Sequence, residues 1–317
     1  MFNHNLNTTK EKTNSKKMKT ATRSPRFRRV PTSIGEVEKI DSDLDILEKI
    51  YHLQHATIPQ ISALTERRYM IVGERMKKLY HNGYIYRFKT YNNTPIVHAI
   101  ENQGYDCLIR KRNYPPNPTS FNKRNRRNKP FFIQHQNSVA NFGACLEVAT
   151  KKNQNTQLEK LEMRNIKNYS FKTQQKKLKI TTIPDAFFSI QHINQRKEKT
   201  TSNFFVEIDR GTESINPKKI NNRSTIAKKM TGYWKAHKQG LFKEKFNLSN
   251  ARILFITTSD QRIDNMIALN KEIDDLKKGS RLFYFTTLEN FDLKNTDKVL
   301  DKIWRNGRDD EKLSLIE

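Results

Sequence analysis

Two short apolar runs, Ala186 to Ile190 and Phe204 to Ile208, carry acids at their ends, and this pairing constrains the chain more than any other feature. Runs of this length bounded by polar residues read as strands. Asp185 follows Pro184 and opens the first run, while Glu207 and Asp209 close the second. A strand's period of two puts Glu207 and Asp209 on one face. If the two runs form a hairpin, Asp185 meets them at one end. Three carboxylates converging on a point repel unless a cation neutralises them, and oxygen-only ligands favour Mg²⁺ or Mn²⁺. Asp185, Glu207 and Asp209 are therefore the expected metal ligands. Such a centre can hold a phosphodiester, lower the pKa of an attacking water and stabilise a leaving oxygen.

The flanking pattern alternates helices and strands. A helix is expected at about 131–151 and a short strand near 156–163. A long helix near 217–238 follows the acidic strands. Then come a strand at 253–257, a helix near 260–277, a strand at 282–286 and a C-terminal helix to about Trp304. This order implies a mixed sheet with helices packed on its faces. Residues 164–182 read as a basic segment without an acid, from Arg164 through Lys172, Lys176, Lys177 and Lys179.

Residues 41–108 have a different character. Ser42 can cap a first helix with an apolar stripe at Leu44, Ile46, Leu47, Ile50, Tyr51 and Leu53. Thr57 and Pro59 open a second helix, and a third runs over about 67–81. Its polar face carries Arg67, Arg68, Arg75, Lys77 and Lys78. His81-Asn82-Gly83 ends it. Two strands follow, Tyr84 to Phe88 with Arg87, and Thr94 to Ile100, joined at Asn92-Asn93. Three helices and a hairpin form the winged-helix order, in which the third helix enters the major groove.

Charge locates the partner. The 60 Lys and Arg against 33 acids give a net +27, which makes a polyanion the expected partner. The excess is confined: residues 1–130 carry +15, residues 131–250 carry +13 and residues 251–317 carry −1. Residues 1–35 read as a flexible basic arm. Residues 111–130 read as a basic linker interrupted by prolines, with Arg124, Arg126 and Arg127 as phosphate contacts. For either charge run the plainer alternative is a solvated linker.

Other chemistries are disfavoured. Cys107 and Cys145 stand alone, without CxxC or His at metal-ligand spacing, and read as small core residues. No His-x-His, GxGxxG, GxxxxGK[ST] or GxSxG occurs. Tyr233, Trp234 and Trp304 read as packing residues. No apolar stretch reaches the length of a membrane span and the first residues lack a signal-peptide core. The expectation is a soluble, cytoplasmic protein with no membrane partner.

The phrase Arg75-Met-Lys-Lys-Leu-Tyr-His-Asn-Gly-Tyr-Ile85 resembles the exit from the third helix of winged helix-turn-helix proteins. The order αβββαβ, with Pro184-Asp185 and then Glu207, resembles the PD-(D/E)XK nuclease superfamily. That resemblance implies a Lys two residues after Glu207, where this chain has Asp209. A Lys from the following helix, Lys228 or Lys229, is the candidate replacement, and Glu147 matches an auxiliary acid of some members. Phe204-Phe-Val-Glu-Ile-Asp-Arg-Gly-Thr-Glu-Ser214, with Pro184-Asp185-Ala186 and Gln134-His135…Val139-Ala-Asn-Phe142, is similar to the replication-relaxation family of plasmids and other mobile elements. That resemblance spans roughly residues 41–290 and implies a role in plasmid replication or in DNA relaxation during transfer.

The resulting expectation is a two-domain protein. A winged helix occupies 36–110, a PD-(D/E)XK-like mixed sheet flanked by helices occupies 131–306, and 307–317 form a tail. DNA is the expected partner, with a homodimer and replication or transfer proteins as further candidates. If the protein is catalytic, Asp185, Glu207 and Asp209 bind Mg²⁺ or Mn²⁺ and Lys228 or Lys229 orients the attacking water. Three alternatives remain. The acids form a charge network closing the strand end with Arg210 and Glu213. The chain is a non-catalytic replication or transcription factor. Or it coats nucleic acid by charge alone.

Overall fold

The computed structural model describes residues 29, 41–88, 94–116, 120–175, 178–193, 197–215 and 225–316. The Asn92-Asn93 turn, Lys176, Lys177 and nearly all of the expected basic arm lie outside the described residues.

The N-terminal portion is built from three short helices, α1 (Asp41–Leu53), α2 (Ile58–Thr65) and α3 (Tyr69–His81). The apolar stripe of α1 at Leu44, Ile46, Leu47, Ile50 and Leu53 is buried throughout. At the start of α2 the Thr57 N–H donates to Gln60 Oε1 at 2.8 Å, satisfying a helix-end donor. Strands β1 (Ile85–Arg87) and β2 (His98–Ile100) pair antiparallel, with Ile85 opposite Ile100. Two further helices lie where the sequence suggested none: α4 (Asn102–Arg112) and α5 (Phe121–Arg127). Helix α5 forms within the proline-interrupted segment because Ser120 caps it, accepting from the Lys123 N–H, and Phe121 is buried beneath it.

Helix α6 (Pro130–Lys152) starts with proline in its first turn, where no N–H is missed. It leads into a seven-stranded sheet of order β11-β10-β9-β8-β7-β6-β3. The strands are β3 (Thr156–Glu162), β6 (Ala186–Ile193), β7 (Lys199–Ile208), β8 (Ala251–Thr257), β9 (Phe283–Thr287), β10 (Trp304–Asn306) and β11 (Lys312–Leu313). β3, β6 and β7 run antiparallel, whereas β7, β8 and β9 are parallel. The parallel pairs are joined through α7 (Ile226–Lys238) with α8 (Leu241–Phe246), and through α9 (Asp260–Ile273).

Period two sorts the core into two layers. Phe188, Phe204, Val206, Leu254 and Ile256 face α6 and join a cluster that continues into α1, α3 and α4. Phe187, Phe205, Ile253 and Phe255 face α7 and α9. Each such side chain, once buried, contributes about 1.5–3 kcal/mol, so this alternation rather than local propensity holds the sheet between its helices.

Two segments differ from expectation. The basic stretch at 164–182 contains a hairpin, β4 (Phe171–Gln175) with β5 (Leu178–Thr182), because its few apolar residues alternate and Phe171 and Ile180 are buried. The expected C-terminal helix is replaced by the 3-10 turns Leu288–Asn290 and Thr296–Leu300 and by β10. Asp292 and Asn295 favour turns there, and Trp304 is anchored in the core with its Nε1 donating to the Val299 carbonyl at 3.0 Å. Among the described residues no helix is long and apolar enough to cross a membrane.

Candidate active site

The start of β6 and the ends of β7 and β8 meet where the sheet changes from antiparallel to parallel pairing. The carboxyl ends of parallel strands are where α/β sheets hold ligands, since the connecting loops open a crevice there. Asp185 is fixed by backbone. Its N–H donates to the Val206 carbonyl at 2.9 Å, and its Oδ2 accepts from the Ile208 N–H at 2.8 Å. Its Oδ1 lies 2.9 Å from Nε2 of His135, in the second turn of α6. Burial alone would raise the Asp185 pKa, but the His135 hydrogen bond and the Lys229 charge outweigh it and hold it below the usual carboxylate range. Burial likewise opposes the charged form of His135, and Asp185 overcomes it, so the imidazole pKa is raised. Each partner thus stabilises the charged form of the other.

Glu207 faces α7 and is 1% exposed. The Tyr233 hydroxyl donates to its Oε1 at 2.7 Å. Lys229 Nζ lies 2.9 Å from its Oε2 and 3.3 Å from Glu213 Oε2. Tyr233 follows Lys229 by four residues, so one face of α7 delivers both groups. Burial pushes the Glu207 carboxyl up to about 7, with Lys229 opposing the rise and Asp185 adding to it. Lys229 is held above the usual ammonium value because Glu207, Asp185 and Glu213 together outweigh its burial. The side chains of Asp185, Lys229 and His135 remain 17%, 19% and 22% exposed, so the cluster is open to solvent on that side.

Asp209 does not join this group. It shares the face of Glu207, as period two requires, but turns toward α9. The Thr257 hydroxyl donates to its Oδ2 at 2.7 Å and Arg262 approaches that oxygen to 2.6 Å. The Gly211 N–H donates to Oδ1 at 3.0 Å. Both oxygens are therefore used in holding the loop after β7. The expected three-carboxylate centre is corrected accordingly. Among the described residues no group of three or more His, Cys, Asp or Glu side chains is placed to hold a metal ion. What remains is the pair of Asp185 and Glu207, whose oxygens are engaged as well, by the Ile208 N–H and His135 and by Tyr233 and Lys229. Mg²⁺ takes only one or two protein carboxylates, and a cation here would compete with Lys229 for Glu207.

The other expected residues divide. Lys229 enters the cluster, whereas Lys228 contributes its backbone N–H to the Thr225 cap of α7. Glu147 pairs with Lys49 of α1 instead, twelve residues beyond His135 and thus ~18 Å further along α6. On α3, Arg75 forms a two-pronged pair with the buried Asp43. Arg67 donates to Asp45 at 2.8 Å. Arg87 donates to His98 Nε2 at 3.3 Å and lies over the Tyr80 ring. Arg124 lies over Phe121, whereas Arg68, Lys77, Arg126 and Arg127 are exposed and Lys78 is half-buried.

Sequence reasoning gives no role to His135, Tyr233 or Arg262 in this site. His135 sits in a quoted phrase, but nothing in a lone histidine says which strand it meets. It also does not anticipate that Tyr69, Met70 and Ile71, three consecutive large apolar residues opening α3, are each more than half exposed.

The molecule thus belongs to the mixed α/β class, with a helical N-terminal portion and a buried acid–lysine cluster at the strand ends of a large mixed sheet. The chain belongs to the replication-relaxation family, whose profile matches residues 47–249. That match includes Asp185, Glu207, Lys229, His135 and Tyr233, and it ties the chain to replication or relaxation of a plasmid or other mobile element. No curated protein and no solved structure gives a match.

Proposed function

We propose that the chain is a DNA-binding protein of a mobile element that nicks or cleaves DNA during replication, relaxation or transfer. The observation that carries this reading is the meeting of Asp185, Glu207 and Lys229 at one strand end, where Glu207 is buried and Asp185 and Lys229 are partly exposed. With the β4–β5 hairpin and α8 set aside as insertions, the order α6, β3, β6, β7, α7, β8 is compatible with the PD-(D/E)XK core, and Lys229 would supply from the helix the ammonium that Asp209 lacks on the strand. Asp185 and Glu207 would hold Mg²⁺ or Mn²⁺, which when bound lowers the pKa of an attacking water and offsets charge on the leaving oxygen. Lys229 offers a cation to the phosphate or to that water. His135 keeps Asp185 ionised and oriented.

The order of α1 to α3, β1 and β2 supports a winged helix for the grip on duplex DNA. Its contacts come from Arg68, Lys77 and Lys78 and from the apolar trio opening α3, because Arg67 and Arg75 are spent on Asp45 and Asp43. Arg126 and Arg127 on α5 add phosphate contacts. A second reading, a non-catalytic DNA-binding factor, draws on the neutralisation of Glu207 by Lys229 and Tyr233.

A supercoiled-plasmid assay with Mg²⁺ or Mn²⁺ separates the two. Nicking that disappears in Asp185→Ala and Glu207→Ala, while DNA binding persists, is expected. DNA binding without nicking in either metal would establish the second reading instead.

A further inference from the structure

The first turn of α6 exposes two phenylalanines beside the cluster. Phe131 is 53% exposed and Phe132 43%, although the helix buries its apolar residues from Ile133 onward. A lone exposed aromatic needs no explanation, but one that adjoins a charged cluster and carries an arginine over its ring is a candidate contact. The two differ in their surroundings. Phe132 meets the His55 ring edge-on, with centroids 6.0 Å apart, and so helps to close the seam with the N-terminal portion. Phe131 instead carries the guanidinium of Arg210 over its ring, 5.3 Å from the centroid. Arg210 is held there by the Phe131 carbonyl at 3.3 Å and by Gln134 Oε1 at 2.6 Å.

This pair lies one helical turn from the His135 that bonds Asp185. Arg210 directly follows Asp209 at the end of β7, and Phe131 precedes His135 by four residues, about 5–6 Å between Cβ atoms on one helix face. His135 in turn bonds Asp185. An aromatic ring with an arginine over one face and the other face free matches the chemistry of a nucleobase, which would stack on the open face while Arg210 polarises the ring and attracts the adjoining phosphate. Within a duplex both faces of a base are already covered by its neighbours. A base on Phe131 must come from an unpaired strand.

Resting on the DNA-cleaving reading above, we propose that Phe131 and Arg210 form a stacking platform for a base next to the scissile phosphate, and that the strand delivered to Asp185 and Glu207 is single-stranded or locally opened DNA. Arg210 over the ring and the exposed Lys129 two residues before it favour a polyanion over an apolar protein segment.

The test uses the full chain carrying Asp185→Ala, so that no substrate is consumed, titrated with a fluorescein-labelled oligothymidine of about 20 nucleotides and with a duplex of the same length. Adding Phe131→Ala is expected to weaken single-strand binding ~10-fold, the range for loss of one stacked base, and to leave duplex binding within about twofold. Phe131→Trp should retain the affinity, and its indole emission should be quenched by the single strand alone. Unchanged single-strand affinity in Phe131→Ala, or an equal loss on both DNAs, would overturn the platform while duplex binding still stands. Absence of binding to either DNA would overturn the DNA-binding reading along with it.

Discussion

Lys229 is the residue on which the cluster's electrostatics turn. It faces Glu207 at 2.9 Å and Glu213 at 3.3 Å, so its removal leaves the buried Glu207 and the half-buried Glu213 without a counter-charge. Lys229→Met should cost about 3–5 kcal/mol in urea unfolding, the range for breaking a buried pair. Adding Glu207→Gln should return part of that loss, and simple additivity of the two changes would refute the coupling. The sequence narrows the choice to Lys228 or Lys229 but cannot decide it, because one helical step is about 100° and the start of α7 depends on the Thr225 cap. It errs at Asp209 for a related reason: period two fixes the face of a strand residue, not whether α7 or α9 answers it. Two histidines add a pH effect. Burial lowers the pKa of both His55 and His98 to about 3, and in His98 the nearby Arg87 adds to it. The unfolded chain takes up these protons near pH 6.5, whereas the folded chain resists until about pH 3. Stability is therefore full above 6.5 and declines as pH falls toward 3, each histidine costing about 2 kcal/mol at pH 5. Tm should fall between pH 7 and pH 5, and the fall should be smaller in His98→Gln; an identical pH profile would refute this account.

At the scale of elements, the position of α7 decides whether Lys229 and Tyr233 reach Glu207. Gly232 sets that position. A Cβ there would lie 2.5 Å from Thr182 Oγ1 and 3.1 Å from Ile180 Cγ2, so α7 can approach the β4–β5 hairpin only because the side chain is missing. Gly232→Ala should cost about 1–3 kcal/mol despite its better helix propensity. It should also lower nicking more than Gly240→Ala, whose new Cβ meets nothing within 4 Å and adds strain only through its φ of +69°. Equal activity in the two variants would show that the hairpin does not position α7. This hairpin is the element least legible in the sequence. Lysines dominate its composition, and only Phe171 and Ile180, buried against α7 and its neighbours, reveal that it is structure and not a solvated segment. The reverse error occurs after β9, where apolar spacing suggests a helix but Asp292 and Asn295 turn the chain. By contrast, α1, α6, β6 and β7 are legible because a strong period and burial agree.

Across the whole molecule, the helical N-terminal portion and the sheet share a core. One apolar cluster runs from Leu44 and Ile50 through Val139 and Leu146 to Phe188, Leu254 and Trp304. Arg164 donates to the Tyr51 carbonyl and Lys49 pairs with Glu147 across the same seam. The cations among the described residues are therefore carried on a scaffold whose parts are packed together, and they differ in what they are free to do. Arg75 is committed to Asp43, a carboxylate 0% exposed as a residue. Arg75→Ala should therefore lower stability by about 3–5 kcal/mol, the cost of an unpaired buried charge. Arg68 at the N-cap of α3 and Lys77 on the helix are exposed, and the contact of Lys77 with Glu74 at 3.9 Å is weak. The double variant Arg68→Ala and Lys77→Ala should unfold like the parent. Its duplex affinity, measured by fluorescence anisotropy over a range of salt, should fall, and the slope of log K against log salt should shrink by about two, one for each lost phosphate contact. An unchanged slope would remove α3 from the proposed DNA interface.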